Sequence, residues 1–137
     1  IFKAVPVRVP SGRLHGLFEH IVARETKASW QGRVNLVFTD DRYIRTLNRT
    51  HRRKDKATDV LSFSVDEPVS SSAVYGEIYI SCPTAARRAA EYGGTLAEEF
   101  LRLSCHGMLH LLGYDHMKAS EAKRMRSREA LYLKAKR

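Results

Sequence analysis

The side chains best suited to chemistry lie together in the stretch His106-Gly107-Met108-Leu109-His110-Leu111-Leu112-Gly113-Tyr114-Asp115-His116, which holds three of the chain's six histidines. His106 and His110 are four apart, so on a helix of about 3.6 residues per turn both imidazoles leave one face, a turn apart. Gly113 stands where a helix commonly stops, because glycine takes the left-handed conformation without a Cβ penalty. A turn there lets His116 come back toward the first two. Three neutral imidazoles with the fourth position open make the donor set of a catalytic zinc site, whereas a structural site closes the tetrahedron with a fourth protein ligand. Such donors suit zinc best, with nickel, copper and iron as alternatives. A histidine pair at this spacing also occurs on ordinary exposed helices; the third histidine beyond a glycine hinge is what points to metal. The spacing matches the long zinc signature of one metalloprotease class except at Gly107, which stands where those enzymes carry the glutamate general base. Peptide hydrolysis by that route is therefore unsupported. A nucleobase deaminase fits less well still, since its His-x-Glu and Pro-Cys-x-x-Cys elements are missing.

These residues need a helix beneath them. Thr95-Leu96-Ala97-Glu98 is a capping box, and the helix it opens runs through Leu112. Apolar residues on most of its sides make it the expected buried centre of the fold. Glu99, Arg102 and Leu103 fall on its histidine side. Upstream, Pro83 suits the first position of a helix that runs to about Tyr92 and ends at Gly93-Gly94. Earlier helices are expected from Ser11-Gly12, with Leu14, Leu17, Phe18, Ile21 and Val22 inward, and after the Asp40-Asp41 cap, with Tyr43, Ile44 and Leu47 inward. A last, basic helix spans about Ser120 to Lys136. Strands are expected at Val5–Val9 (ended by Pro10), Val34–Thr39, Thr58–Phe63 and Ala73–Ser81, with Gly76 marking a bulge or close approach. Trp30 to Gly32 reads as a turn and Pro68 to Ser72 as a connection. His15 and His20 share no helix face and read as surface residues. The sum is a layered α+β or α/β fold, a single domain over residues 1–137 with about four strands in one sheet and about five helices.

Composition narrows the function. Hydrophobic residues at 43% and charged residues at 28% are ordinary for a globular domain. The net charge of +9 favours a polyanionic partner, nucleic acid before membrane. The longest uncharged stretch, Leu103 to Tyr114, is well short of the roughly 20 residues that span a bilayer. Cys82 and Cys105 make no disulfide framework, and Cys105, pointing about 100° away from His106, reads as a small core residue. With no visible secretory signal, the expected setting is the reducing cytoplasm.

The densest positive run before the C-terminal helix, Arg45 to Lys56, immediately precedes the strand Thr58–Phe63, which makes it a candidate wall of a cleft. A basic protein with an open three-histidine site suggests metal-assisted hydrolysis of a phosphodiester, in which the metal activates the attacking water. An arginine aimed at the non-bridging oxygens stabilises the charge that builds there, and its planar fork suits phosphate better than lysine does. Arg49, Arg52 and Arg53 are the pool. Asp115 is placed to orient an imidazole or to serve as a polar turn residue. Glu99 reads as a second carboxylate near the metal or as a helix-start acid favoured by the dipole. Lys123 and Arg124 on the last helix are candidate phosphate contacts, with Tyr132 as the aromatic there.

Three blocks over roughly residues 34–117 resemble the YbeY family, bacterial rRNA maturation factors described as metal-dependent, single-strand-specific endoribonucleases. The metal motif His-Gly-x-x-His-Leu-x-Gly-Tyr-Asp-His is present in full at 106–116. The family's Leu-Asn-x-x-Tyr-Arg-Gly-Lys-Asp-x-Pro-Thr-Asp-Val-Leu-Ser-Phe corresponds to Leu47 through Phe63, and Gly-Asp-Ile-x-Ile-Ser to Gly76 through Ser81. This chain departs from it with His51 for Tyr, Arg53 for Gly, Ala57 for Pro and Glu77 for Asp. The resemblance implies one zinc per chain at His106, His110 and His116, and it places the family's functional arginine on Arg52; Arg49, Arg53 and Lys54 in the basic run are candidate RNA contacts by their charge. It implies an α+β fold with the metal helix beside a small mixed sheet. It also implies maturation of the small-subunit rRNA 3′ end, ribosome quality control, and the ribosomal small subunit and the GTPase Era as partners. The competing class is a non-catalytic, basic RNA-binding assembly factor with a structural metal; a metalloprotease-like hydrolase is the third reading.

Overall fold

The computed structural model describes residues 1–26, 32–64, 76–114 and 118–135. Its sheet has the order β1-β2-β4-β3, formed by Phe2–Lys3 (β1), Val34–Thr39 (β2), Val60–Ser64 (β3) and Gly76–Ser81 (β4). β1 and β2 pair in parallel, β2 and β4 in parallel, and β3 runs antiparallel to β4 at the edge. Five helices accompany it among the described residues: Ser11–Glu25 (α1), Asp41–Arg52 (α2), Cys82–Tyr92 (α3), Leu96–Leu111 (α4) and Ala119–Ala135 (α5). The fold is α+β, as expected.

The sequence reading misplaced the first strand. Pairing is confined to Phe2–Lys3, and a last bond runs from Ala4 N to Phe38 O at 2.8 Å. Pro6 has no N–H to carry the ladder further. Val5, Val7 and Val9 are still half-buried against the core, so the alternation there reports burial without a strand. In α2 the inward residues are Ile44 and Asn48, while Tyr43 is 47% exposed. His20 is half-buried, its ring 5.3 Å from the ring of Tyr132. The connection at Pro68–Ser72, residues 73–75 of the expected strand and the Trp30-Gln31 turn lie outside the described residues.

The caps form where the sequence placed them. Asp40 accepts from Tyr43 N at 2.9 Å, and Gly93 closes α3 in the left-handed conformation. In α4 the box is reciprocal: Thr95 Oγ1 accepts from Glu98 N at 3.1 Å, and Glu98 Oε1 accepts from Thr95 N at 2.9 Å. Pro83 falls one position inside α3, whose N-cap is Ser81. Asp41 Oδ1 takes hydroxyl hydrogen bonds from Ser81 and Thr84, which fastens the start of α2 to the start of α3.

Ten of the sixteen α4 residues are buried, so this helix is the centre of the core. It packs against α1, α3, α5, β3 and β4. Two glycines let it lie close to the sheet. A Cβ on Gly107 would stand 2.8 Å from Ile78 Cγ2 and 3.0 Å from Ser62 Oγ. A Cβ on Gly76 would stand 2.7 Å from a Leu111 methyl and 2.9 Å from Phe63 O. Gly107 and Leu111 are one turn apart on α4, so the seat is reciprocal: helix glycine on sheet side chains, sheet glycine under a helix leucine. Ser62 Oγ adds a hydrogen bond to Gly107 O at 3.2 Å. Among the described residues no helix is long and apolar enough to cross a membrane.

Gly107→Ala gains about 1 kcal/mol of helix propensity but overpacks the seat, which costs about 1–3 kcal/mol. The expected net result is a lower urea midpoint with unchanged m-value, and a smaller loss when the same change is made in an Ile78→Ala background, which removes the Cγ2 that the new Cβ meets.

Candidate active site

The turn-by-turn placement on α4 brings His106 and His110 together, their ring centroids 4.7 Å apart. Both line a cavity of about 570 Å³ whose opposite wall comes from the end of α2, the loop after it and β3. Arg52, Lys54 and Lys56 stand on that wall, with Asp59 and two residues of the α4-facing side of β3, Ser62 and Ser64. The basic run does form one side of a cleft.

Of the three candidate arginines, Arg52 lines the cavity. Arg49 is drawn aside to Asp55, 3.4 Å away, where Arg45 already binds through Nε and Nη2 at 2.8 and 3.1 Å. The Arg45 hydrogen bonds hold the Asp55 carboxyl below its ordinary range. Arg53 is exposed and is the C-cap of α2, with φ at 57°. This is the position where the family motif carries glycine, and the left-handed geometry explains why. Arg53 holds this left-handed conformation at a steric cost.

Asn48, which sequence reasoning passed over, shapes the turn after α2. Its Nδ2 donates to Lys56 O at 2.9 Å and its backbone carbonyl accepts from Lys54 N at 3.2 Å, so one buried residue holds both lysines at the rim. Its Oδ1 is buried with no hydrogen-bond partner among the described residues. His51, replacing the family's tyrosine, keeps an aromatic contact, 5.0 Å from the ring of Phe63.

The other missed residue is Glu129. Its Oε2 lies 2.6 Å from His106 Nδ1, reaching across from α5. No spacing rule links residues 23 apart on separate helices, so the sequence carried no signal for it. Glu99 is 6% exposed, and its carboxylate is taken up by Arg102 at 3.0 and 2.5 Å. Asp115 and His116 lie outside the described residues, and among the described residues no group of three or more His, Cys, Asp or Glu is placed to hold a metal. Tyr114, just before them, donates its hydroxyl to Glu25 Oε1 at 2.8 Å and stacks under Arg124, whose guanidinium carbon is 5.2 Å from the ring centre. Lys123 is exposed on α5.

Cys105 is fully buried, and burial pushes its thiol up to about 12; Cys82 is pushed up to about 11 for the same reason. Neither is a thiolate at neutral pH, which fits core packing. The donor chemistry present fits a divalent metal: two imidazoles at one end of a cavity, one already oriented by a carboxylate through its far nitrogen.

The sequence model described as endoribonuclease YbeY matches residues 4–137. A protein from Desulforamulus reducens named Endoribonuclease YbeY is 51% identical over 102 residues, covering 70% of this chain and 67% of its own. One of the same name from Anaeromyxobacter dehalogenans is 48% identical over 97 residues, 71% of this chain and 50% of its own. The chain thus spans about half to two thirds of the length of these curated relatives. A solution structure of a Thermotoga maritima protein superposes with a TM-score of 0.67 at 31% identity, covering 98% of this chain and 87% of that one.

Replacing Arg53 by glycine removes the left-handed strain, worth about 1–2 kcal/mol, and returns part of it as unfolded-chain entropy. Arg53→Gly is expected to stabilise the chain by about 0.5–1 kcal/mol in urea unfolding; a loss of stability would mean the arginine side chain makes a compensating contact.

Proposed function

This chain belongs to the endoribonuclease YbeY family, and from that premise we propose that it is a zinc-dependent, single-strand-specific endoribonuclease of ribosomal RNA maturation. The observation that carries the reading is the shared cavity: Arg52, Lys54 and Lys56 line the same space of about 570 Å³ as His106 and His110. Three cations against the single carboxylate of Asp59 favour an anionic backbone.

Zinc would be held by His106, His110 and His116, and when bound it supplies a Lewis acid and lowers the pKa of water toward ~7. The protein's own residues do the rest. Glu129 accepts the Nδ1–H of His106, which fixes the tautomer and leaves the Nε2 lone pair to serve as donor. Arg52 binds the phosphate and meets the charge that grows on its non-bridging oxygens. Lys54 and Lys56 hold the flanking phosphates. Asp59, 3.4 Å from Arg88, is the carboxylate on the cavity wall and can take a proton within it. Gly107 has no side chain to act as a base, and its packing against Ile78 leaves room for none, which sets the site apart from the zinc proteases. By family resemblance the substrate is the 3′ end of small-subunit rRNA, in ribosome maturation and quality control in the cytoplasm, with the small subunit and the GTPase Era as partners.

Cleavage of a labelled single-stranded RNA tests this at matched metal content. Arg52→Ala is expected to lower turnover by about 10²-fold with zinc retained, as loss of one preorganised charge-stabilising group does. His110→Ala is expected to lose both metal and cutting; full activity with full zinc occupancy in that variant ends the zinc reading. Equal cutting by wild type and Arg52→Ala assigns the chemistry elsewhere, and no cutting by either favours a non-catalytic assembly factor. Glu129→Ala is expected to weaken zinc about 10–100-fold in chelator competition, with the fold intact by circular dichroism.

A further inference from the structure

The face of the sheet turned away from α4 carries a ribbon of rings. Ile78 and Tyr79 are neighbours on β4 and so point to opposite faces; Ile78 meets α4, and Tyr79 meets α2. His51 and Phe63 have centroids 5.0 Å apart, Phe63 and Tyr79 6.0 Å, and Tyr79 and Tyr43 6.0 Å. Both ends of the ribbon are exposed: His51, and Tyr43 with 47% of its surface in water. Core packing does not explain Tyr43, since α2 buries Ile44 and Asn48 instead.

The ribbon ends near the cavity, since His51 is the neighbour of the cavity-lining Arg52 in the last turn of α2. The same helix is strongly cationic, with Arg42, Arg45 and Arg49 exposed along it. The nearby carboxylates are already engaged, Asp55 by Arg45 and Arg49, and Glu77 by the Tyr79 hydroxyl at 2.9 Å. The C-terminal helix offers no such surface: Tyr132 is fully buried, its hydroxyl on Glu25.

We propose that the ribbon from His51 to Tyr43, edged by the α2 arginines, is a stacking platform for unpaired nucleobases of the RNA strand whose backbone enters the cavity. The proposal rests on the endoribonuclease reading and adds to it a physical source of single-strand preference. Every base has a π face, so stacking tolerates sequence, but a base inside a duplex has that face covered. Exposed rings beside a cationic helix select single strands without reading their sequence.

The test is fluorescence anisotropy of the full chain as purified, titrated into a short fluorescein-labelled single-stranded RNA and into the same backbone with abasic sites. RNA integrity is checked on a gel. Tyr43→Ala is expected to weaken binding of the intact RNA on the order of tenfold, the loss of one base–aromatic stack, and to leave the abasic strand unaffected. Tyr43→Phe retains the wild-type affinity. Equal affinity of wild type and Tyr43→Ala for intact RNA overturns the proposal, and so does an equal loss on both strands, which marks an effect on charge or fold. RNA bound in a Tyr43-dependent way but never cut supports the platform and removes the nuclease reading. RNA cut normally, with Tyr43→Ala binding unchanged, does the reverse.

Discussion

The close seat of α4 on the sheet is the constraint from which the rest of the molecule follows. With Gly107 against Ile78 and Ser62, and Gly76 under Leu111, the helix backbone lies nearer the strands than any side chain at either position would allow. That seat fixes both the depth and the rotation of α4. The rotation carries His106 and His110 to the edge of the sheet beside β3, where the loop after α2 supplies the facing wall. A side chain at 107 would push the imidazoles away from Arg52. The residue that sequence reasoning valued for what it lacks, a carboxylate, is required for what it permits, contact.

Around that seat the polar residues act as spacers with fixed partners. Asn48 holds the turn carrying Lys54 and Lys56. Asp55 gathers Arg45 and Arg49, so that of the arginines on the last turns of α2, Arg52 is the one lining the cavity. Glu129 steadies His106 from α5, and Glu25 holds the Tyr114 and Tyr132 hydroxyls at the junction of α1, α5 and the end of α4. Glu25 and Glu129 are half-buried charges with designated partners, the condition under which charge is tolerated inside a protein. Positive charge in excess of the carboxylates collects at the cavity and along α2, where Asp55 is shared by Arg45 and Arg49. The two surfaces proposed to meet RNA, one for phosphate and one for bases, are in this sense one electrostatic feature seen from two sides of the β3 edge.

Much of this was legible in the chain. The capping box at Thr95–Glu98, the glycine stops at Gly93 and Gly113, the strand Val34–Thr39 and the central α4 all follow from local rules, because caps and periodicity involve residues within a turn or two. The pairing of His106 with His110 is likewise a consequence of helical pitch. Val5, Val7 and Val9 alternate as a strand does, but Pro6 denies them a ladder. An aromatic beside Ile44 looks like core, yet α2 turns Asn48 inward and leaves Tyr43 exposed.

By itself, then, the sequence determined the element types, the one-turn spacing of the imidazoles and the excess of positive charge, since these depend on neighbouring residues or on composition. Tertiary structure alone decided which arginine shares a cavity with the histidines, that Glu129 supports His106, that the sheet is mixed with β3 at its edge, and that two rings of α2 and two of the sheet form a ribbon. Those are contacts between residues distant in sequence. They are set by how closely α4 seats on one face of the sheet and how α2 packs on the other, and no local pattern encodes those distances.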